Sequence, residues 1–288
     1  MLSNESQLIR ISQGQLNVLE RCPRQFQNTY LEQLYSPSDP EHEKRQVLGS
    51  RFHLLIQQRE MGLPIDSFLK TDPQIQNWMK AFVNTVSLAP AVGEDGLQQT
   101  SSSPSQQWII PKLEKQTFRE SEHYRTLQVQ SYLLTVIYDL LIADSSQGQI
   151  IDWKTYPKPQ VKQKLESNWQ TRLYLYLLAE TSDYLPENIF MTYWFFPKQG
   201  EAENIKFSYN HIWHQQTTKK LNQLLSQLTK YLSDYEQGVS FPQVPEGRKV
   251  CSICQYANRC GREYEKNPEV QADNNTLINL ATIEEISL

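Results

Sequence analysis

LLTVIYDLLIADSSQGQIIDWKT occupies residues 133–155, and its pattern predicts strands joined by a turn. The run of residues 127–142 is long and rich in β-branched and aromatic side chains, so we interpret it as a strand or a bent pair of strands. Residues 145–148 are small and polar and predict a turn. Residues 149–155 then predict the next buried strand.

Three charged residues interrupt these apolar strands. Asp139 ends TVIYD, while Asp152 and Lys154 lie in IIDWK on the following strand. Alternation places Asp152 and Lys154 on one face, and the turn places Asp139 roughly opposite Lys154 and diagonal to Asp152. A bare D-x-K is in most cases a structural salt bridge at a strand edge. Because buried charges are costly unless they are compensated, a bound Mg²⁺ or Mn²⁺ is the alternative.

A longer pattern of polar residues surrounds this D-x-K. His53 lies upstream in LGSRFH, Asp139 ends one strand, and QTRLY at residues 170–174 begins a predicted helix. This order resembles the RecB-like branch of the PD-(D/E)XK nuclease superfamily over roughly residues 49–174. The resemblance implies metal ligands at His53, Asp139, Asp152 and the backbone carbonyl of Trp153, and a catalytic set of Asp139, Asp152, Lys154, Gln170 and Tyr174. Lys154 would be the catalytic cation, and Gln170 and Tyr174 would support the site or contact DNA.

The sequence departs from that branch at two points. The branch often has glycine three residues before the first aspartate, where this chain has Val136. A further upstream glutamate often joins the site, and the candidates here are Glu114, Glu120 and Glu122, of which Glu114 fits best by spacing. These departures concern the fine geometry of the site more than the class of protein.

Four cysteines form a second pattern. Cys251, Cys254 and Cys260 follow a C-x₂-C-x₅-C spacing near one end of the sequence, and Cys22 lies near the other end in LERCPRQF. Four thiolates suit either a zinc ion or a 4Fe–4S cluster, and unrelated buried cysteines are a third interpretation. The arrangement of one distant cysteine plus three resembles the iron–sulfur nucleases of CRISPR adaptation and the AddB-type nucleases. It implies a 4Fe–4S clasp on these four residues.

These patterns predict an α/β fold with a restriction-endonuclease-like core, in which helices flank a central mixed sheet. We divide the chain into an N-terminal helical lobe (1–107), a nuclease core (108–249), a cysteine-rich clasp (250–265) and a polar tail (266–288). The predicted helices cover residues 12–34, 43–61, 75–86, 170–180 and 215–235, with a break near Cys22 because Pro23 follows it. Ser12 and Gln15 fit a capping box.

Composition narrows the function classes. The chain has 288 residues, 39% of them hydrophobic, and a net charge of −4. It can bury a substantial core, and no run of about 18 apolar residues predicts a membrane helix. The beginning of the sequence has no apolar signal region, so we expect a cytoplasmic protein, in which structural disulfides are disfavoured. The net charge argues mildly against a general coat of DNA-binding cations.

A local basic stretch follows the D-x-K. Lys154, Lys158, Lys162 and Lys164 are interleaved with aromatic residues, and we expect either phosphate contacts beside the site or an ordinary solvated loop. Tyr156 or Trp169 could stack on a base.

The resemblance therefore implies Mg²⁺- or Mn²⁺-dependent hydrolysis of DNA, from single-stranded ends, in DNA repair, recombination or CRISPR-type processing. No G-x-x-x-x-G-K-[ST] loop is present, so a partner would supply any helicase action. One alternative is a DNA-end-binding module of a larger complex with weak or no catalysis. Another is a zinc-stabilised structural protein whose D-x-K is accidental.

Overall fold

Six strands form one mixed sheet in the computed structural model, which describes residues 8–34, 40–70, 72–86, 117–156, 158 and 161–262. The strands are β1 (Ile9–Ser12), β2 (Phe118–Val129), β3 (Tyr132–Ala143), β4 (Gly148–Lys154), β5 (Ile189–Phe195) and β6 (Glu203–Ser208). The order is β1-β3-β4-β5-β6, and β2 pairs with β3 along its length. The β1–β3 and β4–β5 pairs are parallel, and the other pairs are antiparallel.

Helices cover both faces of this sheet. They are α1 (Gln13–Arg21), α2 (Pro23–Phe26), α3 (Pro40–Glu60), α4 (Asp66–Leu69), α5 (Pro73–Val86), α6 (Lys162–Ser167), α7 (Trp169–Glu180), α8 (His211–Glu236) and α9 (Lys249–Ser252). A π-helical turn, Gln27–Leu31, continues α2, and two 3₁₀ turns span Pro186–Asn188 and Asn258–Cys260. Helices α1, α7 and α8 bury the larger apolar cluster, while α3 and α5 bury the smaller one on the other face. The predicted α/β fold with a mixed sheet flanked by helices is confirmed.

The long edge of β3 is shared by two strands. Strand β1 pairs with β3 at residues 132–135, and β4 pairs with the same strand at residues 140–143. The β3 residues between these two ladders have no strand on this edge within the described chain. The gap matters because it contains Asp139, and helix α1 begins beside it, directly after β1.

Several local predictions are confirmed. The run at residues 127–142 belongs to two strands that meet at Gln130 and Ser131, and the next turn lies at residues 144–147, one residue earlier than the predicted 145–148. The first helix breaks at Cys22, with Pro23 at the first position of α2, and the Gln15 Oε1 atom accepts the N–H of Ser12 at 2.8 Å.

Other predictions differ from the structure or concern residues outside the described ranges. Strand β1 was not predicted, and it brings part of the predicted helical lobe into the sheet. The loop at 89–107, the region 108–116 and the tail at 266–288 lie outside the described residues. Within the described chain, no helix is both long and apolar enough to cross a membrane.

Candidate active site

The alternation of side chains between the two faces of β3 is interrupted at Asp139. Tyr138 packs in the larger apolar cluster, yet Leu140 packs in the smaller one on the opposite face of the sheet. Regular alternation would place these two residues on one face of the sheet, but they lie on opposite faces. The β2–β3 ladder skips Asp139 and its counterpart Glu122, although the pairs on either side keep one register. Glu122 has φ 54°, a strained value for a non-glycine residue in a strand. This paired irregularity turns both carboxylates toward α3.

His53 on α3 completes a three-residue cluster. One ligand atom from each of His53, Glu122 and Asp139 lies within 4.8 Å of the others, and the His53 Nδ1 to Asp139 Oδ1 distance is 3.4 Å. Burial lowers the pKa of His53, but the hydrogen bond and the negative charge from Asp139 outweigh it, so the pKa is raised. Burial and the Asp139 charge raise the pKa of Glu122. Two carboxylates and an imidazole this close suit a hard divalent cation.

Asp152, Lys154 and Gln170 form a second group. The Lys154 Nζ atom lies 2.6 Å from Asp152 Oδ1, and the Gln170 Nε2 atom donates to Asp152 Oδ2 at 2.6 Å. Asp152 is 1% exposed. Burial raises its pKa, opposed by the charge of Lys154 and reinforced by that of Asp139. Burial lowers the pKa of Lys154, yet the charges of Asp152 and Asp139 outweigh it and the pKa is raised. The lysine therefore stays protonated in this setting.

The backbone of Trp153 connects the two groups. Its N–H donates to Asp139 Oδ2 at 2.7 Å, just beyond the last β3–β4 pair. Its indole is buried against Phe82 and Phe196, which holds this peptide in place. The contact that the structure shows is made by the N–H of Trp153; a ligand role for its carbonyl stays a prediction.

The predicted strand register was wrong by two residues. We expected Asp139 to lie opposite Lys154, but the β3–β4 ladder ends with Leu140 opposite Ile151. Asp139 therefore lies beside Asp152 and Trp153. The error arose because the turn lies at residues 144–147, one residue earlier than predicted, which shifts the register by two: Asp144 Oδ1 accepts the N–H groups of both Ser146 and Gln147 and closes it.

Gln170 and Tyr174 lie on α7 with different environments. Gln170 reaches Asp152, as described above. Tyr174 is 3% exposed, its hydroxyl is 3.5 Å from Gln13 Nε2, and Tyr138 donates to its carbonyl at 3.0 Å. Burial raises the pKa of Tyr174. Such a buried ring cannot present its face to DNA, so of the two predicted roles only support of the site fits it.

The upstream glutamate that joins the cluster is Glu122. Glu114, which we favoured by spacing, lies outside the described residues. Glu120 is exposed on β2, and its carboxylate contacts His123 Nδ1 at 2.5 Å. Pairing of β2 with β3 across their tight turn would have indicated position 122, because the β2–β3 pairs on both sides of Asp139 keep the same register.

Most of the predicted basic stretch is engaged within the fold. Lys158 pairs with Glu203, and Lys162 donates to the Lys206 carbonyl at 2.8 Å. Trp169 is completely buried, so the hypothesis that it stacks on a base was wrong. Tyr156 is 47% exposed, and its location next to the Lys154 strand end leaves it accessible to a ligand.

The four cysteines converge, although they are distant in sequence. Cys22 lies between α1 and α2, and it lines one cavity together with Cys251, Cys254 and Cys260. All four lie in the described chain, and none forms a disulfide. Burial raises the pKa of Cys254 and Cys260, and the neighbouring thiols add to the increase. Four thiols in one cavity fit a metal centre that is bound through thiolates. The positive charge of such a centre would stabilise the thiolates and so lower the pKa values that burial and the neighbouring thiols raise.

Comparisons with known proteins agree with this geometry. Residues 10–261 match the family model described as the PD-(D/E)XK nuclease superfamily. The fold is similar to that of a solved protein from Eubacterium rectale described as "Putative exonuclease", with a TM-score of 0.50 and 12% sequence identity over 90% of each chain. At this identity the likeness concerns the fold alone. No curated protein matches the chain.

Proposed function

Because this chain belongs to the PD-(D/E)XK nuclease superfamily, we propose that it is a Mg²⁺- or Mn²⁺-dependent nuclease that hydrolyses DNA phosphodiester bonds at single-stranded ends. The observation that supports the proposal most is that a cluster of possible metal ligands and a carboxylate–lysine pair lie side by side at one point of the sheet. His53, Glu122 and Asp139 offer oxygen and nitrogen ligands, and the Asp152–Lys154 pair lies immediately beside them.

The residues present fit a divalent cation. Burial and the negative charge of Asp139 raise the pKa of both Glu122 and Asp152, so neither carboxylate is fully compensated by the protein alone. We assign His53, Glu122, Asp139 and Asp152 as the residues that would hold the ion, with the Trp153 carbonyl as a further donor. A divalent ion in such a site polarises the phosphodiester and lowers the pKa of bound water.

Each remaining residue has a role that follows from its contacts. Lys154 is a protonated ammonium beside Asp152, suited to stabilise the negative charge that develops on the phosphate in the transition state. Gln170 holds the second oxygen of Asp152 and so fixes the plane of that carboxylate. Tyr174 is packed behind them and supports α7. Tyr156, exposed at the end of the Lys154 strand, is placed to contact the nucleic acid.

A preference for single-stranded ends and for exonucleolytic cleavage is the finer part of this proposal. It rests on the RecB-like order of His53, Asp139, Asp152, Lys154, Gln170 and Tyr174. The description of the structurally similar Eubacterium rectale protein is compatible with it. We assign the protein to DNA repair, recombination or CRISPR-type processing, where a helicase or another repair or CRISPR protein would present the DNA end.

We further assign a 4Fe–4S cluster to Cys22, Cys251, Cys254 and Cys260. The four thiols line one cavity, which supports a shared metal centre. The arrangement of one distant cysteine plus three, which resembles that of the iron–sulfur nucleases, favours a cluster over a single zinc ion. Free thiols of this kind favour a cytoplasmic location.

End-labelled single- and double-stranded DNA with Mn²⁺ provides the test. The wild-type protein, purified without oxygen, should release labelled products, and the label position should give the polarity. Asp152→Ala and Lys154→Ala should bind DNA without cutting it, whereas the exposed-loop variant Asp183→Ala should cut normally. Iron analysis of the same sample should give about four irons per chain.

Two results would redirect the proposal. A folded, cluster-loaded wild-type protein that binds DNA ends but cuts no substrate would favour the DNA-end-binding module. A colourless protein that contains one zinc would remove the cluster assignment and leave the nuclease assignment to the cleavage assay.

A further inference from the structure

We propose that Asn17 on α1 is a positioning residue for the reaction: it sets the first turn of α7 so that Gln170 holds Asp152 in place. The proposal rests on the nuclease function above and adds to it a residue far from the D-x-K in sequence. It is carried by a continuous series of hydrogen bonds from α1 to the Asp152 carboxylate.

The side chain of Asn17 makes two bonds across the α1–α7 contact. Its Oδ1 atom accepts the backbone N–H of Trp169 at 3.1 Å, and its Nδ2 atom donates to Asn168 Oδ1 at 3.0 Å. A carboxamide accepts only through oxygen and donates only through nitrogen, so the two bonds together fix its orientation.

Asn168 bonds to both Asn17 and Gln170, so the orientation of Asn17 affects the position of Gln170. Asn168 is the N-cap of α7, and its Oδ1 atom also accepts the backbone N–H of Gln170 at 2.8 Å. The first N–H groups of a helix have no partner within the helix, so these side chains decide how the first turn begins. Gln170 lies in that turn, and its side chain reaches Asp152 Oδ2 at 2.6 Å.

Helix α1 is itself held against α7 at three levels. Gln13 approaches the Tyr174 hydroxyl at 3.5 Å, and Glu20 accepts the indole N–H of Trp169 at 2.8 Å. With Asn17, these residues are spaced along one side of α1. The helix ends at Cys22, which lines the cysteine cavity. One helix thus connects the cysteine cavity to the residue that orients Asp152.

Orientation of this kind has a measurable effect on chemistry. Partners behind a metal-binding carboxylate typically change metal affinity or activity by about 10–100-fold when they are removed. We therefore expect Asn17→Ala to lower kcat and weaken Mn²⁺ binding by about tenfold, with little change in the KM for DNA.

A double-mutant cycle between Asn17→Ala and Gln170→Ala is the decisive experiment. Turnover of single-stranded DNA and the Kd for Mn²⁺, measured by calorimetry, are determined for the four proteins. If Asn17 acts through Gln170, then adding Asn17→Ala to Gln170→Ala should change either value by less than about twofold. The thermal midpoint should fall by a similar amount in both backgrounds, which separates positioning from general destabilisation.

Lys220→Ala is the matched control, because Lys220 pairs with Glu20 and lies over the Trp169 ring at the same helix contact, whereas Asn17 bonds to Asn168 and to the backbone of Trp169. It should retain wild-type turnover and Mn²⁺ affinity. Equal fold-changes from Asn17→Ala in both backgrounds of the Mn²⁺ cycle would overturn the proposal. If the wild type binds Mn²⁺ without cutting DNA, the nuclease function fails while the Mn²⁺ cycle still decides the role of Asn17. Absence of Mn²⁺ binding by the wild type would overturn both.

Discussion

Glu60 on α3 holds Arg119 on β2 through a two-point ion pair. Arg119 Nε lies 2.6 Å from Glu60 Oε2, and Arg119 Nη2 lies 3.0 Å from Glu60 Oε1. Their side chains are only 13% and 23% exposed, for Glu60 and Arg119 respectively. Glu60 follows His53 by two helical turns, and Arg119 precedes Glu122 on its strand. The pair therefore connects the helix and the strand that contribute two of the three clustered ligands.

Arg119→Ala should destabilise the protein and weaken the cation site together. The change leaves a mostly buried carboxylate without its charged partner, which typically costs about 1–3 kcal/mol. We expect a loss of this size in urea unfolding and weaker Mn²⁺ binding in calorimetry. Lys44→Ala is the control, since Lys44 and Glu41 form an exposed pair at 2.7 Å on the same helix, and such pairs contribute about 0–1 kcal/mol. Normal Mn²⁺ affinity in Arg119→Ala would show that the pair does not position the ligands.

Glu122→Gln and Glu120→Gln should differ sharply in Mn²⁺ affinity. Glu122 is within 4.8 Å of the other two clustered ligands, whereas Glu120 is exposed and contacts His123. Loss of one charged oxygen ligand should weaken Mn²⁺ binding at least about tenfold, equivalent to about 1.4 kcal/mol. Glu120→Gln should remain within about twofold of the wild type. Calorimetric titration of both variants decides between them, and equal affinities would remove Glu122 from the site.

Asp152→Asn should stabilise the metal-free protein, and more so as the pH rises. Burial raises the pKa of Asp152 to about 7, above its value in the unfolded chain. The folded state then binds this proton more tightly, so wild-type stability falls between about pH 4 and pH 7. Asparagine has no proton to lose. The variant should therefore gain at least about 1.4 kcal/mol relative to the wild type across this range, since one pKa unit corresponds to about that energy.

Urea unfolding from pH 4.5 to pH 8, with no divalent cation added, measures this difference. Asp144→Asn is the control because hydrogen bonds from Ser146 lower the pKa of Asp144. The stability contributed by Asp144 is lost only as the pH falls below about 4, so its difference from the wild type should be flat in this range. Added Mn²⁺ should stabilise the wild type but not Asp152→Asn. A pH-independent difference for Asp152→Asn would contradict the argument.

The sequence predicted the sheet and its helices well because each follows a local pattern. The apolar runs of β3 and β4, rich in β-branched and aromatic residues, and the periodic helix α8 can be identified without knowledge of distant contacts. Strand β1 was missed because four residues, Ile9–Ser12, give little local signal, and their pairing with β3 is a long-range contact.

The site was harder to predict than the fold. Residues Asp139, Asp152 and Lys154 could be found from their unusual polarity within apolar strands. Glu122 was one of three candidates, but residue preference could not single it out, because its orientation depends on a backbone irregularity with φ 54°. The proposed role of Asn17 could not be predicted from the sequence either. Its partners Asn168 and Trp169 are distant in sequence and contact it only because α1 packs on α7.

Cys22→Ala should destabilise the whole protein rather than remove a catalytic group. Most of the chain lies between Cys22 and Cys251, and a clasp between them restricts a very long loop of the unfolded chain. Closing a loop of this length covalently stabilises by up to about 5 kcal/mol. Protein contacts also join these segments, including Arg259 with Glu32 at 3.0 Å and Tyr256 with Thr29 at 3.1 Å. The chain should therefore still fold, but with a lower thermal midpoint.

Thermal unfolding and visible absorbance of oxygen-free samples test this expectation. Cys22→Ala should lose the cluster absorbance and unfold at a lower temperature, and Cys260→Ala should behave similarly because it removes another ligand of the same centre. Arg259→Ala is the control, since it removes an exposed ion pair of the clasp segment but no thiol. It should retain the absorbance and nearly all of the stability. A Cys22→Ala protein that lacks the cluster yet unfolds at the wild-type temperature would show that the four thiols do not act as a structural clasp.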